Sequence, residues 1–452
     1  MPAKPKSISM KFAELLKGEA AQESALVGQY CFGLAKELWP INRSLTGPGV
    51  RQTLDILRRE LPGLTLHSVP SGSQVLDWTV PDEWSVREAW IEDADGRRLV
   101  DFADNNLHLV GYSEPFEGWV ERDVLERHLH SLPEQPLAIP YVTSYYRRDW
   151  GFCVSHEHRQ TLGQGPFKVN IDSSLEPGQL DYGELVIPGE SRKEVLLSTY
   201  VCHPSMANNE LSGPVVATAL GRWLAAQDRL KYTYRLVFAP ETIGAIAYLS
   251  RKIDHLREHV TAGFLLTCLG DERSYSYVPS RASDTIADRV AQHVLKGIAP
   301  DYRKYTWLDR GSDERQFCAP RVDLPMASIM RSKYGEYPEY HTSLDTLGEV
   351  VTARGLQGGF DALHNAIHIL ENDIVTRTTV LGEPQLGKRG LYPTISTKHS
   401  VTAEVQTMMD VISYCDGRLS HFDIAEKLGL PFDRVQSICA PLMEAGLLEV
   451  VD

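Results

Sequence analysis

The chain has 452 residues, of which 42% are hydrophobic and 23% are charged, and its formal net charge is −14. The length predicts two or three domains, and the composition is typical of a globular protein and excludes a disordered or fibrous one. Because an acidic surface repels phosphate groups and anionic lipids, we expect neither nucleic acid nor a membrane as a partner.

In the first segment, residues 1–63, the stretch from about Phe12 to Glu60 alternates apolar and charged residues at the spacing of amphipathic helices. Its start, Met1 to Lys17, is polar and lacks the apolar core of a secretory signal, and no later run has the length of a transmembrane helix. The seven cysteines of the chain are scattered and form no CxxC pair. That usage is typical of a reduced protein, so we expect a cytoplasmic location.

From residue 64 to residue 180 the pattern changes to short β-rich pieces separated by turn-forming residues. Two of these pieces are Ser73–Val80 and Tyr141–Tyr146. We therefore predict a β-rich inserted subdomain over residues 64–180.

Residues 181–380 alternate short apolar strands with amphipathic helices. The predicted strands are 194–199, 234–239, 263–268 and 325–330, and the predicted helices are 213–227, 244–252, 283–296 and 352–371. Continuous apolar strands between such helices indicate a mostly parallel sheet that is covered on both faces. The predicted fold class of this domain is therefore α/β.

The last segment, residues 390–452, follows a linker with Gly and Pro residues at 382–393. Its order of helix, helix, turn, helix and strand predicts a winged helix. Residues 400–452 carry three basic and nine acidic side chains, whereas a module that reads DNA should be basic. We therefore expect this module to pack against the core or another subunit, and we expect a homo-oligomer.

Three motifs contain residues suited to catalysis, and they lie in loops at the ends of predicted strands. They are Cys202–Gly213, Phe238–Gly244 and Tyr337–Thr346. Ligand-binding residues of open α/β sheets gather at the carboxyl ends of the strands. We therefore expect the polar residues of these three motifs to share one site.

A catalytic zinc ion needs neutral imidazoles and a carboxylate as ligands, an open position for water, and a base near that water. His203, Glu210 and His341 are the predicted ligands, and Glu241 is the predicted base. Each residue alone has a plainer interpretation, because a histidine near a strand end is often structural and Glu241 would suit a helix N-terminus. The order of the three motifs along the chain favours the catalytic interpretation.

The order of these motifs resembles that of zinc aminopeptidases of the leucyl-aminopeptidase and glutamate-carboxypeptidase type. More closely, the whole chain resembles a bacterial group described as polysaccharide-biosynthesis proteins with an aminopeptidase-like domain. The segments that carry this resemblance are Pro40–Ser44, Asp77–Pro81, Tyr141–Tyr146, Cys202–Ser205, Pro240–Gly244 and Tyr340–Ser343. The resemblance implies a zinc-exopeptidase-like mixed sheet covered by helices, with residues 1–63 as its N-terminal part, a β-rich insertion and a C-terminal winged helix.

Departures from the aminopeptidase pattern concern the second of two metals. Ser205 stands where those enzymes have an Asp that orients the first histidine, and Asn209 stands where they have the metal-bridging Asp. Thr242 replaces the second residue of a Glu-Glu pair, and Thr267 or Cys268 replaces the remaining Asp ligand. The resemblance therefore implies one zinc ion per chain.

Within that implied site, Glu210 is the expected carboxylate ligand, because an amide oxygen is a poor ligand of zinc. Asn209 is the alternative ligand, and Asp345 is expected to hydrogen-bond a ligand histidine from outside the metal's coordination shell.

Arg331, Arg310 and Tyr340 are the candidate residues for substrate binding. A bidentate arginine suits an anionic end of a substrate, although surface salt bridges explain the two arginines equally well. The predicted function is a zinc-dependent amide hydrolase, an aminopeptidase acting on a small peptide or amide substrate. The alternatives are an amidase or deacylase acting on an amino sugar or small metabolite, and a catalytically inactive binding protein.

Overall fold

The computed structural model of the protein describes residues 20–145, 147–391 and 400–451. Expectations for the residues before Ala20, for Tyr146 and for residues 392–399 lie outside the described residues. The chain forms two compact units, one within residues 1–291 and 301–363 and the other within residues 292–300 and 364–452. Within the described ranges no helix is long and apolar enough to cross a membrane.

Helices of the described residues are numbered α1 to α12 in chain order. They span Ala20–Leu38, Pro48–Glu60, Arg122–Arg127, His156–Thr161, Ser212–Ala225, Ile243–His259, Ile286–Ile298, Glu314–Phe317, Ala353–Asn372, Ser400–Tyr414, His421–Leu428 and Phe432–Glu444. A π-helical turn over Ala207–Leu211 leads directly into α5.

Strands are numbered β1 to β19 in chain order. They span Thr65–Pro70, Gln74–Val75, Trp78–Thr79, Glu83–Glu92, Arg98–Asp101, Phe116–Val120, Leu129–His130, Phe152–Cys153, Phe167–Glu176, Gln179–Ile187, Glu194–Tyr200, Thr233–Ala239, Val260–Leu265, Ser276–Val278, Arg303–Lys304, Met326–Met330, Val375–Thr378, Asp416–Ser420 and Leu448–Val450.

The main sheet has eight strands in the order β1-β10-β12-β11-β13-β16-β14-β15. Its centre, β12-β11-β13-β16, is parallel, whereas β10 and β14 join it antiparallel. Every residue of β11 is buried, as a central strand with helices on both faces requires. The predicted mixed α/β fold is confirmed, and the predicted strands and helices of residues 181–380 agree with the observed ones to within a few residues at most ends.

The β-rich insertion is shorter than the predicted 64–180. Strands β1 and β10, at its two ends, pair with each other and belong to the main sheet. The insertion proper lies between them and is built on a four-stranded antiparallel sheet in the order β5-β4-β9-β6. Strands β1 and β10 are flanked by turn-forming residues, as the short strands of the insertion are. The sequence pattern therefore did not distinguish these two strands of the main sheet from the insertion.

The C-terminal unit contains the predicted winged helix, with α10, α11 and α12 packed on a three-stranded sheet in the order β18-β17-β19. Ser420 and Asp423 form a capping box at the start of α11, and Gly429 ends that helix in the left-handed conformation. Strand β17 lies before the predicted linker at 382–393 yet pairs with β18 and β19. The winged helix therefore begins ahead of residue 390.

Candidate active site

The candidate site lies where β11, β12 and β13 end. Tyr200 is paired with Ala239 in the parallel register of β11 and β12, so the residues that follow these two strands leave the sheet at the same level. As a result the amide of Glu241 donates a hydrogen bond to the sulfur of Cys202 over 3.1 Å. The expected meeting of the first two motifs at the carboxyl ends of the strands is therefore present.

His203 is held from behind by Glu210. Its Nδ1 lies 2.8 Å from Oε2 of Glu210, and both side chains are buried. Since a carboxylate only accepts hydrogen bonds, Nδ1 donates to Glu210, and Nε2 is the nitrogen left for another partner. Burial alone would lower the pKa of His203, but Cys202 and Glu210 raise it above its usual value.

Glu210 was the expected carboxylate ligand, and the structure places it differently. The π-helical turn directs its carboxylate to the far side of the imidazole, opposite the nitrogen that faces Glu241. One imidazole presents only one free nitrogen to a metal, so Glu210 and an ion on Nε2 lie on opposite sides of His203. This arrangement is the carboxylate–histidine pair that accompanies metal ligands.

Glu241 is presented by a strained turn. Thr242 has φ 62° and ψ −78°, and the amide of Ile243 donates to the carbonyl of Glu241 over 2.8 Å. This is a γ-turn with positive φ, which is rare and costly for a β-branched residue. The amide of Thr242 donates to Asp313 over 2.7 Å and helps to hold the turn. Strain of this kind gathers at functional sites.

The carboxylate of Glu241 has one oxygen engaged and one directed to His203. Ser312 Oγ donates to Oε1 over 2.7 Å, and Oε2 lies 3.6 Å from Nε2 of His203. Burial raises the pKa of Glu241, although His203 and Ser312 act in the opposite direction. A carboxyl group with a raised pKa is suited to exchange protons near neutral pH.

His341 completes the site from the third motif. Its ring centre lies 5.6 Å from that of His203, and the ring of Tyr340 stacks on it at 3.9 Å. The Tyr141 ring meets both histidines edge-on at 5.3 Å. Burial and the neighbouring His203 lower the pKa of His341 to about 3, so its imidazole is neutral, as a metal ligand must be.

The β insertion contributes the wall beside His341. The amide of Tyr141 donates to the carbonyl of His341 over 2.9 Å, and the amide of Ser343 donates to the carbonyl of Ile139 over 2.9 Å. Because the motif loop and the insertion share these backbone hydrogen bonds, the insertion helps to hold the backbone that carries His341.

The separation of the two histidine rings is compatible with one zinc ion between His203 and His341. Two imidazoles that bind one zinc at about 2.0–2.1 Å have ring centres roughly 5–6 Å apart, in agreement with the 5.6 Å observed. Cys202, His203 and Glu210 also have donor atoms within 4.8 Å of one another. That second arrangement suits a cation less well, because the Arg43 guanidinium lies 3.5 Å from Glu210 and burial raises the pKa of the Cys202 thiol to about 11.

Asp345 was expected to hydrogen-bond a ligand histidine, and in the described part of the chain it does not. Its carboxylate accepts hydrogen bonds from the amides of Asn208 and Asn209, at 2.8 and 3.0 Å, and from the Tyr337 hydroxyl. The physical reason is that the π-helical turn leaves its first amides without helical partners, and a carboxylate satisfies them best. Asp345 thus holds the turn that carries Glu210.

Asn209, the expected alternative ligand, is buried beside Tyr200. Its Oδ1 accepts a hydrogen bond from the Tyr200 hydroxyl over 3.2 Å. The same hydroxyl lies within hydrogen-bonding distance of Thr267, one of the residues that replace an aminopeptidase ligand. Neutral hydrogen bonds therefore occupy the positions of those carboxylates.

The three candidate substrate-binding residues lie in different surroundings. Tyr340 is at the site, stacked on His341. Arg331 is buried, with its guanidinium over the Tyr275 ring at 4.0 Å and against Gly358 of α9, where stacking on an aromatic face stabilises it. Arg310 is exposed and lies over the Trp307 ring at 4.7 Å. The expected role of Arg331 in binding substrate is therefore not supported by its position.

Several residues of the site were not assigned a role from the sequence. Ser312 and Asp313 follow Arg310 in one loop, but nothing local connects them with Glu241, which lies 71 residues earlier in the chain. Arg43 and Tyr141 lie within segments that carry the family resemblance, which was the available signal.

Two family models match the chain. Residues 32–373 match the family described as domain of unknown function DUF4910, and residues 373–450 match a winged helix-turn-helix family. A protein of Clostridium acetobutylicum, provisionally named a polysaccharide biosynthesis protein with an aminopeptidase-like domain, is 40% identical over 431 residues, which cover 95% of this chain and 98% of that protein.

Two solved structures are similar to the whole chain or to most of it. A crystal structure from Clostridium acetobutylicum, provisionally described as a peptidase, has a TM-score of 0.90 and 38% identity, and the match covers 98% of this chain and all of that one. A zinc aminopeptidase from Bacillus subtilis has a TM-score of 0.56 and 12% identity over 76% of this chain and 95% of that one. The second likeness shows an aminopeptidase-like fold, related to that of zinc peptidases.

Proposed function

The chain belongs to the DUF4910 family, and from this membership together with the geometry of the site we propose that it is a zinc-dependent hydrolase of amide bonds, most simply an aminopeptidase. The observation that carries the proposal is the 3.6 Å approach of Glu241 Oε2 to Nε2 of His203, with the centre of the neutral His341 ring 5.6 Å from that of His203. His203 and His341 would hold the ion, and Glu241 would carry the proton.

When bound, zinc polarises a carbonyl group and lowers the pKa of water toward about 7. The residues of the chain then perform the proton transfers. Glu241, with Oε1 held by Ser312, accepts a proton at Oε2 from the attacking water and returns it to the leaving nitrogen. Glu210 keeps His203 in the tautomer with a free Nε2 throughout the reaction.

Tyr141 and Tyr340 would exclude water from the reacting groups. Tyr141 contacts both imidazoles edge-on, and Tyr340 covers the face of His341. A drier site strengthens each electrostatic interaction within it. The exclusion of water supports a hydrolase rather than a site that only binds a metal. A metal-binding site has no need of a partly desolvated base such as Glu241 beside the ligands.

The proposal is tested by elemental analysis of the purified protein and of its His341→Ala variant. We expect about one zinc per chain in the wild type and none in the variant. His259→Ala is the matched control, because this histidine lies at the end of α6 that is farther from Glu241, and zinc should be unchanged in it. Two zinc ions per chain would contradict the proposed ligand set, and no zinc in either protein would favour the inactive binding protein.

Substrate screening follows on the zinc-loaded protein. Aminoacyl amides and dipeptides test the aminopeptidase. N-acyl amino sugars test the alternative deacylase, and they are chosen because the name of the Clostridium acetobutylicum relative mentions polysaccharide biosynthesis. Release of amine from the first set alone would support the exopeptidase. If only acyl amino sugars are hydrolysed, the reaction type stands and the substrate class changes.

A further inference from the structure

Arg43 is a buried arginine directly behind the candidate site. It belongs to the Pro40–Ser44 segment that carries the family resemblance, yet no part of the proposed reaction uses it. Its side chain is 0% exposed, and so is that of its neighbour Glu210. A fully buried guanidinium is costly unless its surroundings satisfy it, so its partners are informative.

The contacts of Arg43 converge on the His203 loop. Nε donates to the backbone carbonyl of His203 over 3.0 Å and lies 3.5 Å from Oε1 of Glu210. Nη1 donates to the carbonyl of Leu38, at the end of α1, over 2.7 Å. One planar side chain therefore contacts both the backbone of the histidine and the carboxylate that hydrogen-bonds its ring.

Oε1 of Glu210 depends on this arginine. Among the described residues Oε1 has no hydrogen bond, and the guanidinium is the cation beside it. The other oxygen, Oε2, faces Nδ1 of His203. An unpaired polar oxygen is costly to bury, so the guanidinium of Arg43, 3.5 Å away, favours this position of the Glu210 side chain.

The turn that carries Arg43 is tightly constrained. A Cβ on Gly49, at the start of α2, would lie 1.8 Å from the carbonyl oxygen of Asn42, so only glycine fits there. The hydroxyl of Thr46, in the same turn, lies 2.6 Å from that of Tyr112 in the β insertion. The turn is therefore fixed on both sides, and the position of the guanidinium with it.

We infer that Arg43 is a positioning residue of the metal site: its guanidinium holds Glu210 and the His203 backbone so that Nε2 of His203 points to Glu241. This inference rests on the proposed function, because its expected consequence is a change in metal affinity. The plainer role, capping the last turn of α1 through Leu38, predicts a loss of stability without any change at His203.

The first test is zinc affinity, measured by competition with a chromophoric chelator, in Arg43→Met, Arg43→Lys and Glu210→Gln. We expect Arg43→Met and Glu210→Gln each to weaken zinc binding about 10- to 100-fold. The zinc affinity of the double variant should equal that of the single variant with the lower affinity. Arg43→Lys should lose less zinc affinity than Arg43→Met, because lysine keeps the positive charge. The recovery should be only partial, because lysine lacks the planar set of N–H donors of a guanidinium. Additive losses, or affinity within about twofold of wild type, would overturn the inference.

Arg235→Met is the matched control. Arg235 is a buried arginine held by Glu184 and Glu194, and it lies at the opposite end of β12 from Glu241. Its loss should destabilise the fold while zinc affinity stays within about twofold of wild type. A comparable loss of affinity in this control would show that general destabilisation explains the effect of Arg43→Met.

The second test does not depend on zinc. In crystal structures of the metal-free variants, we expect the His203 ring to leave its 2.8 Å contact with Glu210 in Arg43→Met and to keep it in Arg235→Met. An unchanged ring in Arg43→Met would overturn the inference even if zinc binding fell. If Arg43→Met does not fold, the same comparison is made with Arg43→Lys. Wild-type protein that binds no zinc would contradict the proposed function, and the crystal structures would then decide the role of Arg43 alone.

Discussion

Nδ1 of His203 lies 2.8 Å from Oε2 of Glu210, seven residues later in the chain, and this pair determines which face of the imidazole is available. In the aminopeptidases that the sequence resembles, an Asp two residues after the histidine performs this orientation, and here that position is Ser205. Glu210 makes the equivalent contact from the π-helical turn. The departure at Ser205 is thereby compensated, and the histidine keeps the carboxylate partner of a metal ligand.

Replacing Glu210 should weaken metal binding without abolishing it. Glu210→Gln removes the charge that favours Nδ1–H, so we expect zinc affinity to fall about 10- to 100-fold while one zinc still binds at saturation. Titration with a chelator as competitor measures both quantities. Glu190→Gln, in an exposed pair with Arg229, is the control and should not change them. No zinc at saturation would instead show that Glu210 is a ligand.

Replacing Glu241 should separate chemistry from metal binding. Glu241→Gln keeps the shape of the side chain and removes the base, so we expect zinc content to be unchanged and kcat to fall about 10²- to 10⁴-fold. Ser312→Ala, which frees Oε1, should lower kcat by a smaller factor. Activity on the substrate found by screening and elemental analysis check the two quantities. Loss of zinc from Glu241→Gln would identify Glu241 as a ligand.

The strained turn at Thr242 should lower the stability of the protein and support its activity. Glycine adopts positive φ without the cost of about 1–3 kcal/mol that a side chain carries there, while its greater freedom in the unfolded chain costs about 0.5–1 kcal/mol. We therefore expect Thr242→Gly to raise the free energy of unfolding by about 1 kcal/mol and to lower kcat, because Glu241 is held less firmly. Urea denaturation and steady-state kinetics measure these effects. If Thr242→Gly were less stable than the wild type and fully active, the strain at Thr242 would have no role in function.

Acid should destabilise the protein through the ion cluster around Arg235. Burial alone would raise the pKa values of Glu184 and Glu194, but hydrogen bonds from Tyr248 and Arg235 to the first, and from Arg235 and His255 to the second, lower both. A carboxyl group with a lowered folded-state pKa stabilises the protein above its unfolded-state pKa of about 4.3. That stabilisation is lost as the pH falls through the folded-state values.

The measurement for this cluster is the free energy of unfolding as a function of pH between about 6 and 3, where unfolded glutamates become protonated. Wild-type stability should decrease across this interval, and the decrease should be shallower in Glu184→Gln/Glu194→Gln. Equal slopes in the two proteins would show that other carboxylates dominate the acid response.

The α/β class, the main strands and helices of the core and the presence of the winged helix were determined by the sequence alone, because they depend on local patterns. Apolar runs such as the one in β11 and the capping residues Ser420 and Asp423 act within one element. The same holds for the three motifs, because the ends of parallel strands necessarily meet along one edge of the sheet. That His203, Glu241 and His341 would lie together was therefore predictable.

Only the tertiary structure decided the roles within that group of residues. Whether Glu210 faces the metal or the back of His203 depends on a π-helical turn held by Asp345, 135 positions later in the printed sequence. The contact of Arg43 with the His203 carbonyl spans 160 residues, and no periodic pattern encodes it. Packing between distant segments decides which partner a side chain such as Glu210 or Arg43 contacts. Sequence patterns report only the preferences of neighbouring residues.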